Sequence, residues 1–135
     1  MRITICGSLK FIDMMKELKF QLEQQGHEVQ LPEKVGGTNY DEKPVYRGAE
    51  NIAKYDLIRK HNNHIIKSDA IIVLNLDKKG VVNYIGGNAF LEMGFAHVNN
   101  KKIFVLNPLP TGLNYEEELI GMNPVILNGD LALVK

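Results

Sequence analysis

Apolar residues follow two patterns along the chain: short continuous runs, and longer stretches whose apolar positions recur every three or four residues. Runs such as RITIC and AIIVLNL are rich in β-branched residues, which is typical of strands buried on both faces. The longer stretches have the spacing of helices with one apolar face. The pattern predicts strands over residues 2–6, 27–31, 70–76, 102–107 and 125–127. It predicts helices over residues 9–25, 49–67, 88–99 and 115–120.

Strands and helices alternate along the sequence, which favours a parallel sheet, because parallel neighbours need a long crossover connection. Right-handed crossovers place helices on both faces of such a sheet. We predict one α/β domain over residues 1–135, with a doubly wound, mostly parallel five-stranded sheet of the flavodoxin or Rossmann-like type. Ligands of such sheets bind at the carboxyl ends of the strands. The loop 32–48, rich in glycine, proline and charge, has the length of a lid or binding loop.

The run YIGGNAFLEMGFAH carries one carboxylate, Glu92, among apolar and small residues. A buried carboxylate is costly unless it is paired or used in chemistry. With Asn88 as the expected N-cap, Glu92 falls near the start of a helix, where the amides and the dipole favour an anion. At that position Glu92 can act as a nucleophile, a base or a ligand for sugar hydroxyls. The alternative is that Glu92 has no chemical role and only stabilises the helix through its dipole. Gly94 inside the same helix suggests close packing against the sheet, because it costs roughly 1 kcal/mol relative to alanine.

Two glycine-containing junctions follow predicted strands. After the first strand, Gly7 and Ser8 lead into a helix, and their amides together with Lys10 form a candidate anion site, although an ordinary turn has the same pattern. Gly86 and Gly87 would let the backbone approach a ligand closely.

Other polar residues are weaker candidates. Asp77 follows the third strand and either faces a ligand or belongs to a turn. His61 and His64 are three apart on one predicted helix, but no further cluster completes a metal site, so we expect no metal. The glycines before Glu92 do not form a dinucleotide fingerprint, so we expect no cofactor.

The composition narrows the class of protein. Sixteen basic and sixteen acidic residues cancel, so no global field attracts a nucleic acid polymer or an anionic membrane. The single cysteine, Cys6, cannot form an internal disulfide and fits a reducing compartment. No stretch approaches the length of a membrane span. We therefore expect a cytoplasmic protein.

Three segments, ICGSLKF, SDAIIVLN and GGNAFLEMGFAHVNNKKIFVLN, resemble the nucleoside 2-deoxyribosyltransferase superfamily in order and spacing. The most specific part is the Glu-x-Gly-Phe-Ala run that begins at Glu92. The resemblance implies cleavage or transfer at the N-glycosidic bond of a nucleoside or nucleoside 5′-monophosphate. It also implies a homo-oligomer, a dimer or larger, in which C-terminal residues of one subunit complete the neighbour's site.

The resemblance also implies roles for individual residues. Glu92 would attack C1′ of the sugar, form a glycosyl-enzyme intermediate and stabilise the oxocarbenium-like state. The first junction, with Gly7, Ser8, Leu9 and Lys10, would hold the sugar or its 5′-phosphate. The second junction, with Gly86, Gly87 and Asn88, would also bind substrate.

Two positions depart from the family pattern. An aspartate usual eight positions before Asp69 is His61 in this chain, and no acid stands at 83–86, where the family has a second aspartate or a serine. His61 or Asp77 would then have to supply the proton that a departing base needs. The alternative is a non-catalytic nucleotide-binding or sensing protein that kept the pocket. A weaker similarity to the PGGxGTxxE motif of the cytokinin-activating phosphoribohydrolases implies the same bond cleavage.

Overall fold

The computed structural model describes residues 1–32, 52–53 and 56–135. Its strands form one sheet in the order β2-β1-β3-β4-β5, and every pairing is parallel. The strands are β1 (Arg2–Cys6), β2 (Glu28–Gln30), β3 (Ala70–Val73), β4 (Lys102–Val105) and β5 (Val125–Ile126). The helices are α1 (Ile12–Gln24), α2 (Leu57–Ile66), α3 (Gly87–Val98) and α4 (Glu116–Gly121), with short 3-10 turns at Leu9–Phe11 and Leu131–Leu133. The predicted parallel five-stranded sheet is confirmed.

The alternation of side chains along the strands divides the core between the two faces of the sheet. On one face, Ile3 and Ile5 of β1 pack with Met15 of α1. On the other face, Ile71 of β3 packs with Met93 of α3. Helices therefore cover both faces, as predicted.

One predicted helix start is wrong, and a second predicted helix is interrupted. The helix predicted over 9–25 begins as a 3-10 turn, and α1 starts only at Ile12. In the helix predicted over 49–67, Asp56 has the left-handed backbone conformation, with φ 50°, and α2 starts after it at Leu57. Aspartate tolerates that conformation better than most residues, so it can interrupt a helical pattern. Apart from Pro32 and residues 52–53, the predicted loop 32–48 and the first half of this helix lie outside the described residues.

The segment after β3 forms a tight hairpin. Lys78 and Val81 exchange both backbone hydrogen bonds, at 3.0 and 3.1 Å. Lys79 and Gly80 between them have φ angles of 55° and 72°, the signature of a type I′ turn. The Asn83 amide donates to Asp77 Oδ1 at 2.9 Å, which closes the base of the hairpin.

The expected close packing of Gly94 against the sheet is wrong, because a Cβ added there meets no atom of the described residues within 4 Å. Gly94→Ala should therefore stabilise the protein by about 0.5–1 kcal/mol, since alanine loses less backbone entropy in a helix. Urea unfolding of both proteins, followed by circular dichroism, measures the difference. A loss of stability would show that the space beside Gly94 is filled in the protein in solution.

Candidate active site

A cleft of about 650 Å³ opens at the carboxyl ends of β1 and β3, where the strand order reverses. We call it the switch-point cleft. It brings together nine of the ten residues that the sequence analysis predicted to be catalytic or substrate-binding, and these nine come from three separate segments. They are Gly7, Ser8, Leu9, Lys10, His61, Gly86, Gly87, Asn88 and Glu92. The tenth, Asp77, does not line the cleft, and its carboxylate serves the hairpin turn instead.

Gly7 allows the first loop to cross close over β3. Its φ is 149°, and a Cβ added there would lie 3.0 Å from both the Leu74 carbonyl oxygen and Met15 Cε. The next residue, Ser8, has its hydroxyl at the cleft, where it accepts from the Lys10 amide at 3.3 Å. The turn after β1 therefore needs glycine at position 7, which leaves Ser8 at the edge of the cleft.

Glu92 lies deeper in its helix than the sequence predicted. The helix α3 begins at Gly87 with Gly86 as its N-cap, so Asn88 is not the cap and Glu92 falls in the second turn. The helix dipole acts mainly within the first turn, so it is not the main partner of this carboxylate.

A histidine on the neighbouring helix pairs with Glu92. His61 Nδ1 of α2 lies 3.5 Å from Glu92 Oε1, and the two side chains are only 15% and 12% exposed. His61 Nε2 is buried and has no hydrogen-bond partner in the described part of the chain. The arrangement is a largely buried acid–histidine pair at the cleft, and one ring nitrogen of the histidine has no partner in the described part of the chain.

Cys6, at the end of β1, contacts the same carboxylate from the side of the core. Burial above all, then the negative charge of Glu92 and a hydrogen bond with its side chain, hold the pKa of the Cys6 thiol well above its usual range. The thiol therefore stays protonated and can donate to Glu92. Sequence reasoning missed this contact, although the alternation along β1 puts Cys6 on the face that α3 covers.

Because Cys6 is fully buried and its pKa is raised, we expect it not to react with a disulfide reagent such as dithiobis(nitrobenzoate) at about pH 8 while the protein is folded. Absorbance should rise only as fast as urea unfolds the chain. Rapid labelling of the folded protein would contradict the placement of Cys6 beneath Glu92.

The sequence also missed a second lysine at the Ser8 edge of the cleft. Lys78 Nζ donates to Ser8 Oγ at 2.9 Å, joining residues 70 positions apart. Lys10 and Lys79 also line the cleft, near the rings of Phe11 and Tyr84 respectively. The sequence did contain a sign of this positive charge, because Lys78 and Lys79 follow shortly after the buried strand β3.

Comparison with known proteins gives a result at the level of structure. No family model matches the sequence, and neither does any curated protein. A 2-deoxyribosyltransferase from Bacillus psychrosaccharolyticus superposes with a TM-score of 0.60 at 14% identity, over 84% of this chain and 77% of that one. A CMP N-glycosidase from Clostridium botulinum gives 0.55 at 15% identity, over 93% and 88%. A conserved protein from Enterococcus faecalis gives 0.55 at 20% identity, over 90% and 74%.

This chain has the nucleoside 2-deoxyribosyltransferase fold. The fold expected from the resemblance is therefore confirmed, at an identity too low to carry residue roles across.

Aromatic side chains pack around the segment that leads into α3, and one of them, Tyr84, lines the cleft. A Cβ on Gly86 would come 3.1 Å from the Tyr84 ring, so glycine here makes room for the tyrosine. Tyr115 stacks on Phe90 with ring centroids 4.6 Å apart and donates its hydroxyl to the Ile85 carbonyl. Burial, followed by the neighbouring Tyr84 hydroxyl, raises the pKa of Tyr115. These contacts hold the segment that leads into α3, whereas a Cβ added at Gly87 meets no atom of the described residues within 4 Å.

Within residues 1–32, 52–53 and 56–135, no group of three His, Cys, Asp or Glu side chains is arranged to hold a metal ion. Over the same residues, no helix combines the length and the apolar character needed to cross a membrane.

Proposed function

We propose that this protein cleaves or transfers at the N-glycosidic bond of a nucleoside or nucleoside 5′-monophosphate, with Glu92 as the nucleophile. The observation that carries the proposal is the carboxylate of Glu92, buried at the switch-point cleft beside His61. The fold of a 2-deoxyribosyltransferase and of a CMP N-glycosidase supports the reaction class.

In the first step, a carboxylate oxygen of Glu92 attacks C1′ of the sugar while the bond from C1′ to the base nitrogen breaks. The electron pair of that bond leaves with the base, and positive charge builds on the sugar ring beside the carboxylate. The product is a glycosyl ester of Glu92.

The departing base needs a proton, and His61 is the candidate donor. Its Nδ1 lies beside Glu92, and its buried Nε2 has no partner among the described residues, so Nε2 would donate to the base once the ring turns toward it. A protonated His61 would give the Nε2 proton to the base and keep a neutral ring beside the new ester. His61 is preferred to Asp77 for this role, because Asp77 does not line the cleft and its carboxylate accepts from the Asn83 amide in the hairpin.

In the second step, water or a second base attacks C1′ of the ester and frees Glu92, and the choice of acceptor separates hydrolase from transferase. Water would need a base to take its proton, and the neutral His61 left by the first step can do so. The first loop, Gly7 to Lys10, would hold the sugar and its 5′ substituent, with Gly87 and Asn88 on the other side of the cleft.

The proposal is tested by incubating the protein with a panel of nucleosides and nucleoside 5′-monophosphates, and measuring free base by chromatography. Repeating the productive reactions with a second free base present shows whether the sugar is transferred. Tight binding of a nucleotide with no base released would instead support the alternative, a non-catalytic nucleotide-binding protein with the same pocket.

We further propose that the chain forms a homo-oligomer. Apolar side chains on the outer faces of α2 and α3 support this, since Ile58 is 48% exposed, Leu91 41% and Val98 73%. Sedimentation equilibrium of wild type and of Val98→Asp measures the assembly state directly.

A further inference from the structure

The Lys78 ammonium is placed at the cleft by backbone contacts that do not involve its side chain. Both of its backbone hydrogen bonds go to Val81, and the type I′ turn between them fixes the start of the side chain. Any residue except proline could make these bonds at position 78. The lysine side chain is therefore not needed for the turn and remains free for another role.

That side chain crosses to the loop after β1 and donates to a neutral group. Ser8 Oγ, at 2.9 Å, is the only partner that Lys78 Nζ has within the described ranges. An ammonium has three protons to donate, so this contact leaves two of them for a ligand. A neutral hydroxyl is also a weaker partner for a cation than an anionic oxygen.

The charges of the described residues that line the cleft are unbalanced, although the chain as a whole has a formal net charge of zero. Among these residues, Lys10, Lys78 and Lys79 share the cleft with a single carboxylate, Glu92, and that carboxylate is next to His61. None of the three lysines pairs with an acidic side chain of the described residues. A ligand that brings an anionic group to the Ser8 edge would supply the missing negative charge.

We propose that Lys78 is the specificity-determining residue that selects substrates with a phosphate monoester on the sugar. The ammonium would keep the Ser8 hydroxyl as a neighbour and direct its remaining protons to the phosphate oxygens, with Lys10 on the same side. This inference rests on the proposed function, and it favours nucleoside 5′-monophosphates over nucleosides as the substrate class.

The test is calorimetric titration of ribose 5-phosphate and of ribose into wild type, Lys78→Met, Lys78→Arg and the control Lys60→Met. Lys60 is an exposed lysine of α2 that does not line the cleft. We expect wild type and Lys60→Met to bind ribose 5-phosphate much more tightly than ribose. Lys78→Met should weaken ribose 5-phosphate binding about tenfold to a hundredfold, and Lys78→Arg should keep most of it.

The proposal is overturned if Lys78→Met, with an unchanged melting temperature, binds ribose 5-phosphate within about twofold of wild type. It is also overturned if wild type shows no preference for ribose 5-phosphate over ribose. Because ribose 5-phosphate has no glycosidic bond to a base, this result does not depend on catalysis. A protein that binds it through Lys78 but releases no base from any nucleotide would refute the proposed function alone.

Discussion

Glu92→Gln should lower the rate of base release by at least about a thousandfold and leave the fold intact. Glutamine has the size and shape of glutamate, but its amide cannot form the glycosyl ester on which the proposed reaction depends. The amide can still contact His61 Nδ1 and the Cys6 thiol, which the structure places beside this side chain. Initial rates of base release, measured by chromatography on the best substrate of the panel, give the effect.

The matched control is Glu117→Gln, which makes the same change on an exposed carboxylate of α4, away from the cleft. It should release base at the wild-type rate. Melting temperatures within a few degrees for all three proteins would exclude unfolding as the cause. A Glu92→Gln protein that keeps more than about a tenth of the wild-type rate would rule out Glu92 as the nucleophile.

The second large effect is expected for His61→Gln. Removing a general acid typically costs about a hundredfold to ten-thousandfold, and a purine or pyrimidine is a poor leaving group without a proton. We therefore expect kcat for a natural nucleotide to fall within this range. His97→Gln, at the exposed end of α3, is the control and should have little effect.

A substrate whose leaving group needs no proton separates acid catalysis from a structural role of His61. With a nitrophenyl glycoside of the same sugar, His61→Gln should lose less than about tenfold, because nitrophenolate departs without protonation. An equal loss on both substrates would show that His61 orients Glu92 and does not protonate the base. A wild-type rate on both would remove His61 from the mechanism.

Much of the fold was predictable because it depends on local patterns. β-branched runs such as RITIC are typical of strands that are buried on both faces of a sheet. Their alternation with helical stretches favours parallel pairing of those strands. The helix boundaries were less predictable, because they depend on single backbone angles. Asp56 adopts a left-handed conformation that the apolar pattern does not reveal, and α3 begins before the residue that looked like its cap.

The common location of Glu92 and the first loop was also predictable, because in a parallel sheet both follow the carboxyl ends of strands at the same edge. The sequence could not show which long-range contacts complete the site. The hydrogen bond of Lys78 to Ser8 spans 70 positions, and the contact of Cys6 with Glu92 depends on how α3 lies across β1. Asp77 was a reasonable candidate because it follows a strand, but in the structure its carboxylate accepts a hydrogen bond from the Asn83 amide within the hairpin.

The most direct test of the central claim is a search for the glycosyl ester on Glu92. The protein is incubated with a 2′-fluorinated analogue of its best substrate, in which the fluorine slows formation and breakdown of the intermediate by destabilising the oxocarbenium-like state. After an acid quench, intact-mass spectrometry and peptide mapping locate any adduct. We predict a mass increase equal to the glycosyl group on the peptide that contains Glu92, and none in Glu92→Gln. A glycosyl adduct on another residue, or stoichiometric base release with the Glu92 peptide unmodified, would contradict the account.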